Sequence, residues 1–182
     1  MRIEATLGDI TELDVDVVVN AANSSLLGGG GVDGAIHTAA GPRLLEACRE
    51  LRATRYPDGL PVGEAVATDA FDLPARWVVH TVGPNWYAGE RDPAMLAACF
   101  LTSLEVAVDL GARSIAFPAV SAGAYGWDAD EVARIAVGAL RAWKAGTAQD
   151  RAPDGTPNGI THARFVLSGE RTLGAFQRAL TA

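Results

Sequence analysis

Val17-Val-Val-Asn-Ala-Ala-Asn-Ser-Ser-Leu-Leu-Gly-Gly-Gly-Gly-Val-Asp-Gly-Ala-Ile-His37 decides the fold class. An apolar run suited to a buried strand empties into four glycines, Gly28 to Gly31, and helical spacing then begins at Val32. Polar residues flank the glycines on both sides. Four consecutive glycines cost too much chain entropy for a simple turn, and their N–H groups can face a ligand with no side chain in the way. The ligand such a loop suits carries phosphate.

Outward from this unit, strands are expected at Arg2–Leu7, Val15–Asn20, Gly63–Thr68, Trp77–Val82, Ser114–Pro118 and Ala163–Leu167. Helical patterns run over Val32–Arg52, with a break at Gly41-Pro42, and over Pro93–Asp109, Asp128–Lys144 and Arg171–Thr181. Strands and helices alternate, which predicts an α/β fold whose mostly parallel sheet is covered on both faces. Asp128-Ala-Asp-Glu131 resembles a capping box, and Leu173, Phe176 and Leu180 share a core-facing stripe. Ala145–Thr161 reads as a polar surface connection rather than a domain boundary. The expectation is one domain, residues 1–182, without internal repeats.

With 182 residues, 49% of them hydrophobic, the chain can bury a substantial core. No apolar run has the length of a membrane span, and Met1-Arg-Ile-Glu-Ala-Thr-Leu alternates like a strand rather than like a signal peptide. A cytoplasmic monomer is expected. Cys48 and Cys99 stand in separate helical patterns without a CxxC or histidine companion, so neither a disulfide nor a metal site is expected, and no cofactor. The net charge of -7 opposes nucleic-acid binding. A bound nucleotide would have to be held mainly by backbone amides.

Five groups sit at or near strand ends: Gly8-Asp9-Ile10, Asn20-Ala-Ala-Asn23, Gly28 to Asp33, His37, and Ser121-Ala-Gly-Ala-Tyr-Gly126. Loops leaving the carboxyl ends of parallel strands converge on one crevice, so these groups can build a single site. The two glycine loops can clasp a diphosphate, with the helix near Asp33 aiming its positive end at the anion. Asp33 and His37, four apart, share a helix face. There a carboxylate can orient or deprotonate water, and an imidazole can hold it. Each also has a plainer reading. Asp33 suits a helix N-terminus, His37 an ordinary helix histidine, Asn23 a turn brace and Asp9 the cap of a short turn over Ile10 to Leu13. His80, inside a strand, reads as a hydrogen-bonded core histidine. Tyr125, among glycine and alanine, packs on a sugar or plugs the core.

Gly29-Gly-Gly-Val-Asp-Gly34 spells GxGxxG, yet eight residues separate it from Asn20 and no acidic residue closes a second strand at the required distance. A nicotinamide-dependent oxidoreductase is therefore disfavoured. No GK[ST] follows, so a P-loop is excluded.

Together, Gly8-Asp9-Ile10, Val17-Val-Val-Asn-Ala-Ala-Asn23, Asn23 followed after six residues by Gly30-Gly-Val-Asp33, His80-Thr-Val-Gly-Pro84 and Phe117-Pro-Ala-Val-Ser-Ala-Gly-Ala-Tyr-Gly126 resemble the macrodomains, specifically MacroD-type ADP-ribosylhydrolases. The resemblance covers the chain from the first strand to Gly126. It implies a three-layer α/β/α fold around a mixed, mostly parallel sheet, with ADP-ribose bound at the strand ends. By this likeness Asp9 takes the adenine amino group and the Ile10 N–H faces the ring. Gly28, Gly29, Gly30, Gly31 and Val32, with Ser121, Ala122, Gly123, Ala124, Tyr125 and Gly126, cradle the diphosphate, and Tyr125 packs near the distal ribose. Asn23, Asp33 and His37 form the implied catalytic set: Asn23 holds a distal-ribose hydroxyl, Asp33 positions or activates water, and His37 supports.

The implied reaction is metal-independent hydrolysis of ADP-ribosyl esters on Asp or Glu side chains of mono-ADP-ribosylated proteins, with O-acetyl-ADP-ribose as a related substrate. The alternative is a non-catalytic ADP-ribose reader. Two departures stand out: Trp127-Asp128 follows Tyr125-Gly126 where the family usually has an aromatic and a proline, and Phe165-Val-Leu-Ser-Gly-Glu170 lacks the aromatic or acidic ending expected near adenine. The cysteine and histidine ligands of the zinc-dependent branch do not occur near the first loop.

Overall fold

The computed structural model describes residues 1–146 and 159–182. Most of the connection expected over Ala145–Thr161 lies outside the described residues. Among the described residues six strands, β1 (Arg2–Leu7), β2 (Val17–Ala22), β3 (Ala65–Asp69), β4 (Trp77–Val82), β5 (Ser114–Phe117) and β6 (His162–Leu167), form one sheet in the order β1-β6-β5-β2-β4-β3. All neighbours pair in parallel except β3, which runs antiparallel to β4 at the edge. Among the described residues five α-helices cover it: α1 (Gly31–Ala40), α2 (Pro42–Thr54), α3 (Pro93–Asp109), α4 (Ala129–Gly146) and α5 (Glu170–Thr181). The α/β fold with a mixed, mostly parallel sheet is thus the observed one.

The strand alternation of β2 explains the layers. Val17 and Val19 enter the core shared with α3, α4 and α5, whereas Val18 and Ala22 enter the core shared with α1 and α2. In the first layer Phe117, Phe165 and Phe100 stack at centroid distances of 5.6 to 6.2 Å, and Phe176 lies 4.6 Å from Phe165. Each buried phenylalanine contributes about 1.5–3 kcal/mol of apolar transfer. The second layer is thinner, built on Ile36, Leu44 and Leu60.

Several element ends shift from the sequence expectation. β2 begins at Val17 rather than Val15, because Asp16 spends its carboxylate on the backbone N–H groups of Arg113 and Ser114, at 2.8 and 3.0 Å, and anchors the strand entry. It continues to Ala22, paired with Val82, so Asn20 lies within the strand. β3 starts at Ala65, since Gly63 has φ +85°, outside strand geometry. Gly41-Pro42 divides α1 from α2 as expected, with Pro42 opening the second helix. Asp128 caps α4 through the N–H groups of Asp130 and Glu131, at 3.1 and 3.2 Å, and the helix extends past Lys144 to Gly146. No helix among the described residues is long and apolar enough to cross a membrane.

Candidate active site

The carboxyl ends of β1, β6, β5 and β2 open on a cleft of about 810 Å³. Asp9 and Ile10 after β1, Asn23 and Gly29 to Asp33 after β2, and Ser121 to Tyr125 after β5 all line it. Loops distant in sequence therefore meet, because parallel strands deliver their carboxyl ends to the same edge of the sheet. Gly28, Gly126 and His37 do not line the cleft. Gly28 packs against the His37 ring, Gly126 lies under the Tyr87 ring, and His37 stands behind Asp33. Among the lining residues there are two carboxylates, Asp9 and Asp33, and no lysine or arginine. An anion here meets backbone N–H groups and the N-terminus of α1.

Asp33 is the third residue of α1, whose N-cap is Gly30, and its side chain is 6% exposed. A buried carboxylate is costly unless polar neighbours hold it. The helix N-terminus favours its charge, and Asn20 Nδ2 donates to Oδ1 at 2.7 Å. His37 Nε2 lies 3.4 Å from the same oxygen, within ion-pair reach but off the line of a hydrogen bond, so this buried nitrogen has no hydrogen-bond partner. Oδ2 is the oxygen left over. It lies beside Gly29, where an added Cβ would come to 3.1 Å from it and 3.3 Å from Asn23 Nδ2. Gly34 serves the same approach: a Cβ there would meet the Gly29 carbonyl oxygen at 2.7 Å, so the bare backbone lets α1 and the loop touch.

Asn23 uses its amide within the loop, donating from Nδ2 to the Gly28 carbonyl at 2.9 Å and accepting from Ser25 Oγ at Oδ1. The turn-brace reading describes this geometry, and one N–H of the amide stays free beside Gly29. Asp9 likewise caps the short turn over Ile10–Glu12. Its Oδ1 accepts from Thr11 Oγ1 at 2.7 Å and Thr11 N at 2.9 Å, which lowers its pKa and keeps an acceptor at this end of the cleft. Burial, then the nearby charges of Glu90 and Asp33, raise the pKa of Tyr125, so its hydroxyl remains a donor at neutral pH.

Both sequence departures have structural reasons. Trp127 is buried edge-on against Trp86, at 5.3 Å, and Asp128 is the cap of α4, so the second loop closes on a packed aromatic and a helix start. At the Asp9 end, Leu7, Ile10, Val166, Ser168 and Thr172 line the cleft in place of an aromatic ring. Thr172 was not singled out in the sequence, and Gly83, Val120 and, above all, Asn20 stood in the quoted motifs without a role of their own. Its place in the NAAN run was visible, but that its side chain reaches Asp33 requires the register of β2 against α1.

His80 is fully buried and hydrogen-bonded, with Nδ1 3.1 Å from Asn20 Nδ2 and Nε2 3.0 Å from Thr68 Oγ1. Burial and then His37 pull its pKa down to about 3. Cys48, whose Sγ lies 3.8 Å from His80 Nε2, is pushed up to about 12 by burial and by Asp33, and is no nucleophile. No group of three or more metal-ligating side chains occurs among the described residues.

Comparison with known proteins agrees with this architecture. The Macro domain family model matches residues 19–136. Macro domain-containing protein in non 5'region of Streptomyces griseus is 64% identical over 173 residues, 95% of this chain and 91% of the relative. The O-acetyl-ADP-ribose deacetylase of Klebsiella pneumoniae (strain 342) is 47% identical over 180 residues, 98% of this chain and 96% of the relative. Among solved structures, the Oceanobacillus iheyensis macrodomain with ADP superposes with a TM-score of 0.86 at 40% identity, covering 97% of this chain and 88% of that one. The Trypanosoma brucei macrodomain in complex with ADP-ribose gives 0.84 at 36% identity, covering 98% and 68%. The chain belongs to the macrodomain family.

Proposed function

We propose that the cleft binds ADP-ribose and hydrolyses its acyl esters, both those formed with Asp or Glu side chains of mono-ADP-ribosylated proteins and O-acetyl-ADP-ribose. The observation that carries this reading is the buried Asp33 carboxylate, with Oδ1 held by Asn20 and Oδ2 beside Gly29 and Asn23. A module that only gripped its ligand would not need a buried charge at this place. Support comes also from the 47% identical relative named O-acetyl-ADP-ribose deacetylase and from related macrodomains solved with ADP and ADP-ribose.

In this reading Asp9 accepts from the adenine amino group and the Ile10 N–H faces the ring. The N–H groups of the Gly29–Val32 and Ser121–Tyr125 loops hold the diphosphate, which suits a cleft lined by no lysine or arginine. Tyr125 and the free N–H of Asn23 place the distal ribose, and Asp33 positions the water. One water is consumed, the bond between ribose and acyl group breaks, and a ribose hydroxyl and a carboxylic acid form. An ester has a good leaving group, so positioning plus one carboxylate is sufficient chemistry, without a metal or covalent intermediate.

The test is a turnover assay comparing glutamate-linked, serine-linked and arginine-linked ADP-ribose, with O-acetyl-ADP-ribose in parallel. Release from the ester-linked substrates is the expected result. Tight ADP-ribose binding in calorimetry with no turnover of any ester would select the reader module instead.

A further inference from the structure

On the sheet face toward the α1–α2 pair, the buried residues among those described are apolar except for one polar row that crosses three strands. Asn20 and His80 are 0% exposed and Thr68 is 9% exposed, and their neighbours on the same faces are Val18 and Ala22, Val78 and Val82, and Val66. The strand register sets Asn20 beside His80, and His80 beside Val66, with Thr68 one step along the diagonal. The flanking positions on each strand show that apolar side chains fit this face. Instead the row keeps Asn20 Oδ1 buried with no hydrogen-bond partner, a price in stability set against the hold of the Asn20 amide on Asp33.

We propose that His80 is a positioning residue for the reaction: through Asn20 it fixes the Asp33 carboxylate, leaving Oδ2 directed to the cleft. This rests on the ester-hydrolase reading above. The direction of each hydrogen bond follows from the chemistry of the end group. A carboxylate only accepts, so the atom 2.7 Å from Asp33 Oδ1 is the Asn20 amide nitrogen and not its oxygen. That nitrogen has a second hydrogen, which goes to His80 Nδ1 at 3.1 Å. Nδ1 then carries a lone pair, so the ring proton is on Nε2 and points to Thr68 Oγ1 at 3.0 Å. With its pKa pulled down to about 3, the ring stays neutral and Nδ1 keeps that lone pair at neutral pH. Thr68, His80 and Asn20 thus lock both torsions of an amide whose other N–H grips Asp33. Without the acceptor at Nδ1, the amide is free to turn its oxygen toward the carboxylate and release it.

The experiment uses the full chain and three variants, His80→Leu, His80→Asn and Thr68→Val, with O-acetyl-ADP-ribose as substrate and calorimetry with ADP-ribose. His80→Leu is expected to lower kcat at least ~10-fold with KM and the ADP-ribose Kd within about twofold of the unaltered protein. His80→Asn sets an amide oxygen where Nδ1 accepts and is expected to restore kcat to within about threefold. A long-range 1H–15N spectrum of the labelled protein is expected to show His80 protonated at Nε2. Unchanged kcat in His80→Leu overturns the role, as does equal loss in the Leu and Asn variants, loss of ADP-ribose affinity, or a ring protonated at Nδ1. Should His80→Leu not fold, Thr68→Val decides, with an expected kcat loss of about threefold at constant KM; no loss overturns the proposal. Absence of turnover by the unaltered protein overturns the hydrolase reading itself, which distinguishes that failure from a failure of His80 alone.

Discussion

Asn20 on β2 donates a 2.7 Å hydrogen bond to Asp33 Oδ1 on α1, thirteen residues further along the chain, and so ties the sheet to the carboxylate at the cleft. The bond divides the two oxygens of Asp33 between structure and chemistry. Asp33→Asn keeps the shape of the side chain and removes the charge. It is expected to lower ester turnover by about 10²–10⁴-fold while the ADP-ribose Kd changes by less than about threefold, measured by product release and calorimetry. Turnover undiminished in this variant would remove Asp33 from the chemistry.

How far the sequence carried depends on whether a feature is local. The strand, glycine loop and helix over Val17–His37 are all written in consecutive residues, so the cleft wall and Asp33 were legible. The pairing of that wall with Ser121–Tyr125 was legible too, because both follow parallel strands. What the chain did not disclose were contacts set by sheet register. Asn20, His80 and Thr68 come from three strands, and no spacing rule connects them. Asp16 is the same case, since its partners at Arg113 and Ser114 lie nearly a hundred residues away. For Asp9 the sequence offered a binding role or a capping role, and the geometry gives both: it lines the cleft and also caps its turn.

Gly34→Ala should damage the site without touching a ligand. The new Cβ would sit 2.7 Å from the Gly29 carbonyl oxygen, backbone against side chain, so α1 and the first loop must separate. Overpacking of this kind costs about 1–3 kcal/mol. The expected outcome is a Tm lower by several degrees and an ADP-ribose Kd raised at least ~10-fold, seen by thermal denaturation and calorimetry. An unaltered Kd would show that the loop holds its shape independently of the helix.

Asp16 predicts a component of acid stability far from the cleft. Burial opposes its charge, but the N–H groups of Arg113 and Ser114, the Ser114 hydroxyl and Arg76 outweigh it, and the pKa is lowered. A carboxylate with a depressed folded pKa contributes stability that is complete above its unfolded pKa and disappears as pH falls through the folded one. Asp16→Asn should therefore lower unfolding free energy at pH 7 by about 1–3 kcal/mol, and the difference from the unaltered protein should shrink below about pH 4. Urea titrations at both pH values measure it, and a difference that is constant with pH would contradict the assignment.

His80 acts in the same sense but over a different, higher window. In the unfolded chain it binds a proton near its ordinary pKa of about 6.5, whereas in the fold it resists protonation down to about 3. Between these values the unfolded state holds one more proton, so stability rises with pH, and each unit of acidification costs about 1.4 kcal/mol. The full contribution is present above the unfolded value and is lost progressively on acidification. Replacing the ring by a group that does not titrate, as in His80→Asn, should flatten unfolding free energy against pH by about one proton across this range. The slope between pH 6 and pH 4 is the quantity to compare in the two proteins, and an identical slope would mean that His80 takes up its proton inside the fold. Across this window the folded ring stays neutral, so Nδ1 goes on accepting from the Asn20 amide and the hold on Asp33 lasts for as long as the protein stays folded.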